Sequence, residues 1–261
     1  MTLAWTYGGT ALSTFGKVTV IEGFLDFPDR RGSNQIIPFQ HGEMHAGKYF
    51  NSRQISLGMV ITGTSAADLE ETMDDLRALI APRTQQTLQV TRDDSTVLNA
   101  DAIVDNALMF ERITNTLAKI ILVFSLPRPF FRSADAIPSA PEEINTSPTT
   151  FTIENPGTIE ERNPTITLTG PLQNTVITNT TNNISMTYTG TIADGEVVVI
   201  STNAYGEYQA VKDGTTNVIG NVTHNGSAAL MVLNVGDNNF SVTDATATTG
   251  IVEFSFYPPY L

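Results

Sequence analysis

Two histidines four residues apart, with a glutamate between them, form the pattern in this chain that most suggests chemistry. The segment His41-Gly-Glu-Met-His45 has the residue types with which zinc proteases bind their metal from one helix face, His-Glu-x-x-His. Here Glu43 lies one position late, and the glycines at 42 and 47 disfavour a helix. The two imidazoles therefore need not share a face, and the sequence predicts a polar loop rather than a metal site.

Adjacent carboxylates occur at Asp93-Asp94 and at Glu160-Glu161. A glycosidase needs two carboxylates about 5 to 9 Å apart, one as general acid and one as nucleophile or base. Neighbouring residues on a strand point to opposite faces, and both pairs are typical of turns or solvated positions. We therefore predict no catalytic pair here. His224, which we place in a turn, has no evident partner.

Other reactive motifs are missing from the sequence. The chain has no cysteine, no Gly-x-Ser-x-Gly elbow of a serine hydrolase and neither common glycine-rich phosphate-binding motif. The sequence accordingly predicts a protein that is not an enzyme, with no catalytic, cofactor-binding or metal-binding residue and no cofactor.

The charge of the chain argues against nucleic-acid binding. Its 261 residues include 14 Lys and Arg against 27 Asp and Glu, a formal net charge of −13. After residue 150 there are 2 basic residues and 10 acidic ones. Because nonspecific DNA binding depends on Lys and Arg that release phosphate counterions, we expect the chain to repel DNA. No apolar run approaches 18 residues, so we also expect no membrane insertion.

The most regular pattern, between residues 53 and 92, predicts one helix packed on a sheet. Every second residue from Ile55 to Ile61 is apolar, which indicates a strand with one buried face. Ser65 offers an N-cap, a narrow apolar stripe follows at helical spacing, and Pro82 ends the helix. The acids of this helix are predicted to face solvent or the arginines of a neighbouring subunit: Asp68, Glu70, Glu71, Asp74 and Asp75.

Composition divides the chain into two parts. Residues 135–150 contain three prolines and few bulky apolar side chains, which predicts a semi-rigid linker between domains at 1–134 and 151–261. Further strands of the first domain are predicted at 18–25, 103–110 and 117–124, the last apolar on both faces as in a central strand.

The second domain is rich in Thr and Asn, with short alternating segments at regular spacing, which is typical of a β-sandwich. The pairs Asp194-Gly195, Asp213-Gly214 and Asn225-Gly226 suit tight hairpins. Strands are predicted at 165–168, 175–178, 184–188, 196–200, 207–211, 228–233, 239–242 and 251–256.

Several short motifs follow one another across both domains. In the first domain they are Asp26-Phe-Pro-Asp-Arg-Arg-Gly32, Ile37-Pro38, Arg53-Gln-Ile-Ser-Leu57, the helix with Pro82, and Pro127-Arg-Pro-Phe130. In the second they are Asn155-Pro-Gly157, Asn163-Pro-Thr-Ile-Thr-Leu-Thr-Gly170, Leu233-Asn-Val-Gly-Asp-Asn-Asn-Phe240 and Phe256-Tyr-Pro-Pro-Tyr-Leu261. In this order and spacing, rather than in any single motif, the chain resembles the distal tail proteins of long-tailed bacteriophages.

The resemblance implies a mainly β fold. The N-terminal tail domain would be a β-sandwich or split-barrel-like unit with one packed α-helix, and the C-terminal domain a galectin-like or carbohydrate-module-like β-sandwich. It also implies a hexameric ring, built by the N-terminal domain, that joins the tail tube to the tail-tip and receptor-binding proteins. Such a ring lies at the tail tip of the virion, is assembled in the host cytoplasm, and lets DNA pass without specific binding.

Two questions stay open from the sequence. Aromatic residues that could form ring contacts could equally pack in the core: Trp5, Tyr7, Tyr49 and Phe50. The alternative function is a carbohydrate-binding or adhesion module, with a sugar stacked on Tyr205 or Tyr208 of the second domain.

Overall fold

The computed structural model describes residues 3–32, 35–36, 41, 43–44, 49–107, 111–203, 207–225, 230–246 and 249–261. Contacts divide the chain into unit 1, Met1–Arg132 with Leu261, and unit 2, Ser133–Tyr260. Among the described residues, no helix has the length and hydrophobicity that crossing a membrane requires.

Unit 1 combines antiparallel strands with one α-helix, α1 (Ala66–Ile80), and a 3-10 turn at Leu12–Thr14. The strands that begin in this unit are β1 (Ala4–Tyr7), β2 (Thr10–Ala11), β3 (Lys17–Glu22), β4 (Arg30–Arg31), β5 (Gln35–Ile36), β6 (Glu43–Met44), β7 (Tyr49–Phe50), β8 (Arg53–Thr62), β9 (Gln86–Thr91), β10 (Val97–Ala107), β11 (Glu111–Thr114), β12 (Leu117–Leu126) and β13 (Phe131–Ser133). The main sheet has the order β2-β1-β9-β10-β12-β8-β3, with β11 also paired to β12. Two small pairs, β4 with β7 and β5 with β6, lie outside this sheet.

A bulge in β10 connects the two halves of the main sheet. The register of β10 against β12 shifts between Val104 and Asn106, and the earlier part of β10 pairs with β9. A bulge bends its strand, so the one long strand β10 can pair with β9 in its first part and with β12 in its last part.

The predicted strand and helix between residues 53 and 92 are confirmed. In β8 the alternating residues from Ile55 to Ile61 are all buried. The Ser65 hydroxyl accepts the Asp68 N–H at the start of α1, and the Asp68 carboxylate in turn accepts hydrogen bonds from the N–H and hydroxyl of Thr64. The apolar stripe of α1 is buried, at Leu69, Met73, Leu76 and Ile80.

The central position predicted for the strand at 117–124 is confirmed, but its two faces are not equally covered. β12 does lie between β10 and β8, but its burial alternates and Ile121 is 51% exposed. An apolar run does not by itself require two covered faces. The outer face of this part of the sheet therefore carries exposed apolar residues.

Unit 2 is a sandwich of two antiparallel sheets. Its strands are β14 (Ile137–Pro138), β15 (Glu142–Glu143), β16 (Thr149–Asn155), β17 (Thr165–Thr169), β18 (Leu172–Gln173), β19 (Val176–Asn179), β20 (Ile184–Tyr188), β21 (Thr191–Ile192), β22 (Val197–Thr202), β23 (Tyr208–Lys212), β24 (Thr216–Asn217), β25 (Val222–His224), β26 (Gly236–Thr243), β27 (Ile251–Phe256) and β28 (Pro259–Tyr260), with a 3-10 turn at Ile219–Asn221. One sheet has the order β14-β27-β17-β22-β23-β24, with β15 also on β27. The other has the order β16-β26-β19-β20-β25. A continuous apolar core contains residues from both sheets, including Ile166, Ile177, Phe240 and Phe254.

The predicted linker at 135–150 is instead part of unit 2. β14 and β15 both pair with β27, and β16 begins at Thr149. Ile144 is fully buried in the unit 2 core. Prolines are tolerated on edge strands, which explains how a proline-rich segment can still join a sheet.

The strand predicted at 228–233 is wrong for the residues described there. From Leu230 onward the segment is irregular apart from an isolated bridge at Leu233. Side-chain amides supply part of its backbone hydrogen bonding, because Asn179 donates to the Val232 carbonyl and Asn155 donates to that of Leu233. A buried segment can stay irregular when side chains supply its hydrogen bonds.

Candidate functional site

Among the residues that the structure describes, the segment around His41 does not form the helix of a zinc-protease site. His41 is exposed in a bend, and Glu43 begins the short strand β6 rather than lying on a helix. His45 lies outside the described residues. His224 lies at the end of β25, so its predicted turn position is wrong. Within the described part of the chain, no cluster of three or more His, Asp or Glu could hold a metal ion.

The two carboxylate pairs have separate structural roles. Asp93 and Asp94 lie in the turn between β9 and β10, where the Thr96 N–H donates to Asp94 and helps to lower the pKa of that carboxyl. Glu160 is bonded to Arg162. Glu161 is buried rather than solvated and accepts the Asn163 N–H, which corrects the prediction of a solvated pair.

The proposed sugar platform is occupied by protein contacts. The Tyr208 hydroxyl donates to Asn163 Oδ1 and accepts the Leu230 N–H, each at 3.1 Å. The cavity beside this ring has a volume of about 10 Å³, enough for at most one water molecule. Tyr205 lies outside the described residues.

The four candidate aromatics separate into core and surface. Trp5 and Tyr7 are buried, and Trp5 packs edge-on against Phe24 at a centroid distance of 5.2 Å. Tyr49 is exposed, whereas Phe50 is half-buried and packs edge-on against Phe130. Trp5 and Tyr7 are therefore core residues rather than free surface for ring contacts.

The acids of α1 that form ion pairs do so within the chain. Glu70 pairs with Arg112 at 2.9 Å, and Asp74 pairs with Arg77 one turn further along the helix. These pairs are exposed, so each contributes little to stability, about 0–1 kcal/mol.

Among the described residues, exposed apolar side chains are most concentrated at one edge of the main sheet of unit 1. We call residues 17–27, which comprise β3 and the segment after it, the edge surface. Val20 and Ile21 are exposed, and Leu25 and Phe27 are each 76% exposed. No described strand pairs with the second side of β3. An open edge with exposed apolar side chains is a site at which proteins associate.

The exposed apolar area continues from β3 across the face of the sheet. Val20 lies against Gly58 of β8, where an added Cβ would come within 2.9 Å of the Val20 Cβ. Ile121 is paired with Gly58 from the other side and is exposed. Glycine at this position thus leaves two exposed β-branched side chains on one row of the sheet.

A buried arginine holds the edge surface in place from below. Arg53 Nε donates to the Gly23 carbonyl at 2.8 Å, and Nη2 donates to the carbonyls of Phe24 and Asp26. Burial lowers the pKa of the Arg53 guanidinium, and the nearby charge of Asp26 partly offsets this. Because an arginine stays protonated in proteins, the Arg53 guanidinium remains a charged donor to all three carbonyls of the segment.

Glycine is required where this segment leaves β3. Gly23 has a φ of +80°, and a Cβ there would come within 2.2 Å of the Gln54 carbonyl oxygen. A side chain at this position would therefore push the segment away from β8 and from the Arg53 guanidinium.

In the sequence, Arg53 stands in the motif Arg53-Gln-Ile-Ser-Leu57, and no role was predicted for it. The signal was present in the strand pattern, because Arg53 has the same parity as Ile55 and Leu57 on β8. A charged residue at an inward-facing position of a strand points to a buried hydrogen-bond network. Its acceptors could not be foreseen, since they come from a different part of the chain.

The whole chain is similar in structure to the Dit protein of phage SPP1, described as a paradigm of the hub adsorption apparatus in phages that infect Gram-positive bacteria. The TM-score is 0.72 with 12% sequence identity, and the alignment covers 100% of both chains. The chain has the Dit fold. This confirms the predicted fold class: mainly β, with one packed α-helix in the N-terminal part and a C-terminal β-sandwich.

A second similarity is to a chain of the phage p2 baseplate in its activated conformation with Sr. It has a TM-score of 0.49 and 10% identity over 97% of this chain and 98% of the other. No protein-family model matches the sequence, and no curated protein matches it. The similarity to Dit is therefore found by comparing structures and not by these two sequence comparisons.

Proposed function

We propose that this protein is a structural component of the distal end of a bacteriophage tail. It forms a hexameric ring that joins the tail tube to the tail-tip and receptor-binding proteins. The observation that carries the proposal is the similarity to SPP1 Dit, a hub protein, over the full length of both chains. A likeness that includes both units supports a shared architecture rather than one recurrent sandwich.

The two units have different roles in this proposal. Unit 1, which corresponds closely to the predicted domain 1–134, builds the ring. Unit 2, which begins at Ser133, is the attached β-sandwich. The edge surface supports the assignment of ring contacts to unit 1, because it offers exposed apolar side chains at a sheet edge.

The role is structural rather than enzymatic, and it places the protein in the virion at the tail tip after assembly in the host cytoplasm. DNA passes through the ring without specific binding. Charge supports this, because unit 1 has 12 basic and 14 acidic residues and unit 2 has 2 basic and 13 acidic ones. Neither unit has an excess of cations with which to hold phosphates.

The first experiment measures the native mass of the purified chain together with negative-stain images. A ring of six 28.2-kDa chains has a mass of about 169 kDa, six times the mass of the monomer, and a central hole. A chain that stays monomeric at every concentration, or closes with another number of subunits, contradicts the proposed ring. A glycan array tests the carbohydrate-binding alternative on the same preparation, and we expect no binding.

A further inference from the structure

We propose that the edge surface receives a second copy of this chain, whose exposed arginine strand β4 lies against its acidic rim. This inference rests on the proposed ring and assigns its contact to particular residues. Four steps lead to it: the exposed edge, the cleft beside it, the rigidity of the segment and the arrangement of charge.

The first step is the concentration of exposed apolar residues. Four large apolar side chains lie exposed within eight consecutive positions, Val20, Ile21, Leu25 and Phe27. Exposed large apolar residues in unit 2 are scattered by comparison, at Ile137, Val235 and Tyr257. Scattered apolar residues are normal on a protein surface, whereas several exposed apolar residues along one open strand edge mark a place where another chain packs.

The second step is an open cleft beside this group. The cleft has a volume of about 280 Å³ and is lined by Leu3 and by residues 21–26. It therefore lies between the residue that precedes β1 and the end of β3. This volume is slightly below the range of about 300–1,000 Å³ that small-molecule sites occupy. An open cleft of this size suits side chains of a protein partner.

The third step is the rigidity of the segment that carries the exposed residues. Leu25 and Phe27 lie in or directly after the stretch whose carbonyls bind the buried Arg53 guanidinium. Phe24, between them and Gly23, is buried against Trp5 and Phe131. A surface that is already ordered loses little conformational entropy when a partner binds, so the exposed side chains are preorganised for contact.

The fourth step identifies the occupant from charge. Glu22 and Asp26 line the cleft and give it an acidic rim. Arg30 and Arg31 of the same chain form β4 and are exposed, with the Arg30 guanidinium 5.3 Å from the centre of the Phe50 ring. A chain with an acidic apolar surface and a basic strand can bind copies of itself head to tail, and such contacts form a ring when the rotation from one copy to the next closes.

The test compares the masses of three forms of the full chain at matched concentrations. The first is the wild type, and the second is Leu25→Asp/Phe27→Asp. The control is Val235→Asp/Tyr257→Asp, which introduces the same charge at two exposed apolar positions of unit 2, 54% and 46% exposed. We expect the wild type and the control to be hexameric. The edge variant should need a concentration roughly ten times higher or more to assemble.

The fold of each variant is followed by the fluorescence of Trp5, the one tryptophan of the chain, which packs on Phe24 below the edge surface. An edge variant that remains hexameric overturns this inference and leaves the proposed ring intact. A wild type that never assembles overturns the ring itself. The two failures are therefore distinguishable.

Charge reversal tests whether the occupant is a second copy bound through β4. Glu22→Arg/Asp26→Arg and Arg30→Glu/Arg31→Glu should each weaken assembly by about tenfold or more, because like charges then face each other. The chain that carries all four changes should recover most of the loss. If both pairs weaken assembly but the combination is weaker still, the head-to-tail pairing is overturned. If another tail protein binds the wild type and the control but not the edge variant Leu25→Asp/Phe27→Asp, that protein is the occupant of the edge surface.

Discussion

At the scale of single residues, charged side chains buried among the described residues are held by backbone hydrogen bonds. Arg53, Glu161 and Asp244 are each less than one tenth exposed. Arg53 donates to carbonyls, and the two carboxylates accept backbone N–H groups. A buried charge must be compensated in this way, since removing it from water is otherwise strongly unfavourable. These residues order loops.

Replacement of Arg53 tests this ordering directly. Arg53→Met keeps much of the apolar stem but leaves the carbonyls of Gly23, Phe24 and Asp26 without their donor. We expect a loss of about 2–4 kcal/mol in the free energy of unfolding by urea, with an altered Trp5 emission in the folded state. Arg83→Met, at an exposed position after α1, is the matched control and should change stability by less than about 0.5 kcal/mol. Equal effects of both would contradict the role assigned to Arg53.

Asp244 makes unit 2 sensitive to acid. Burial alone would raise the pKa of Asp244, but hydrogen bonds from Thr246, Gln173 and Thr175 outweigh it and hold the pKa below its usual value. A lowered pKa in the folded state stabilises the fold above the unfolded pKa of about 3.9. That stability is lost as the pH falls through the folded pKa.

We therefore expect wild-type stability to fall below about pH 4, and to fall less steeply in Asp244→Asn because that variant has no carboxyl to protonate at this site. At neutral pH, Asp244→Asn should already be less stable than the wild type. The amide nitrogen of Asn is a donor, and it would face N–H or hydroxyl donors that the carboxylate oxygens accept in the wild type. Urea unfolding between neutral and acid pH measures both effects. Asp237→Asn, at an exposed position of β26, is the control and should follow the wild-type curve. Parallel curves for wild type and Asp244→Asn would refute this role.

At the scale of elements, the segment 135–150 shows how composition can mislead. Three prolines and few bulky side chains indicated a linker, yet β14 and β15 pair with β27 and Ile144 is fully buried. The pairing partner lies more than a hundred residues later in the chain. A pattern read from neighbouring residues cannot indicate pairing with a strand so far along the chain.

Two isoleucines in this segment provide a matched test. Ile144→Ala removes a fully buried side chain and should lower the free energy of unfolding by about 2–4 kcal/mol. Ile137→Ala makes the same chemical change in β14 at a position that is 36% exposed, and should lower it by less than about 1 kcal/mol. Urea unfolding of both variants decides the question. If the segment were a linker, the two variants would behave alike.

Elements with a strong local pattern could be predicted from the sequence. α1 has a cap, an apolar stripe and a stopping proline, and β8, β20 and β27 alternate clearly, so local physics determines them. Elements whose hydrogen bonds come from distant side chains could not be predicted in the same way. The irregular segment at 230–233 is apolar enough for a strand, but Asn155 and Asn179 supply its bonds.

The edge surface was only partly predictable for a related reason. The sequence predicted a strand at 18–25, and β3 confirms it as Lys17–Glu22. Which strand lies at an edge depends on the order of the whole sheet, which no local pattern contains. Val20 and Ile21 are both exposed, and β3, which carries them, is the last strand in this order.

At the scale of the whole molecule, the negative charge is distributed unequally. Unit 1 has a net charge of −2, from 12 basic and 14 acidic residues, whereas unit 2 has a net charge of −11, from 2 basic and 13 acidic ones. A nearly neutral unit can pack against copies of itself with little repulsion. The distribution therefore fits a ring built by unit 1.

The same distribution predicts that the chain does not hold DNA, although unit 1, to which we assign the proposed ring, is itself close to neutral. We expect no change in the anisotropy of a labelled DNA duplex at about 50 mM salt, up to protein concentrations of about 10⁻⁴ M, where nonspecific DNA-binding proteins do bind. The 12 basic residues of unit 1 make this a real test, because a cluster of them could still bind phosphates. Binding that weakens with salt, with a slope of about −0.9 for each phosphate neutralised, would contradict the prediction and count the cations involved. Charge reversal at Arg30 and Arg31 would then show whether β4 binds DNA rather than a second copy of the chain.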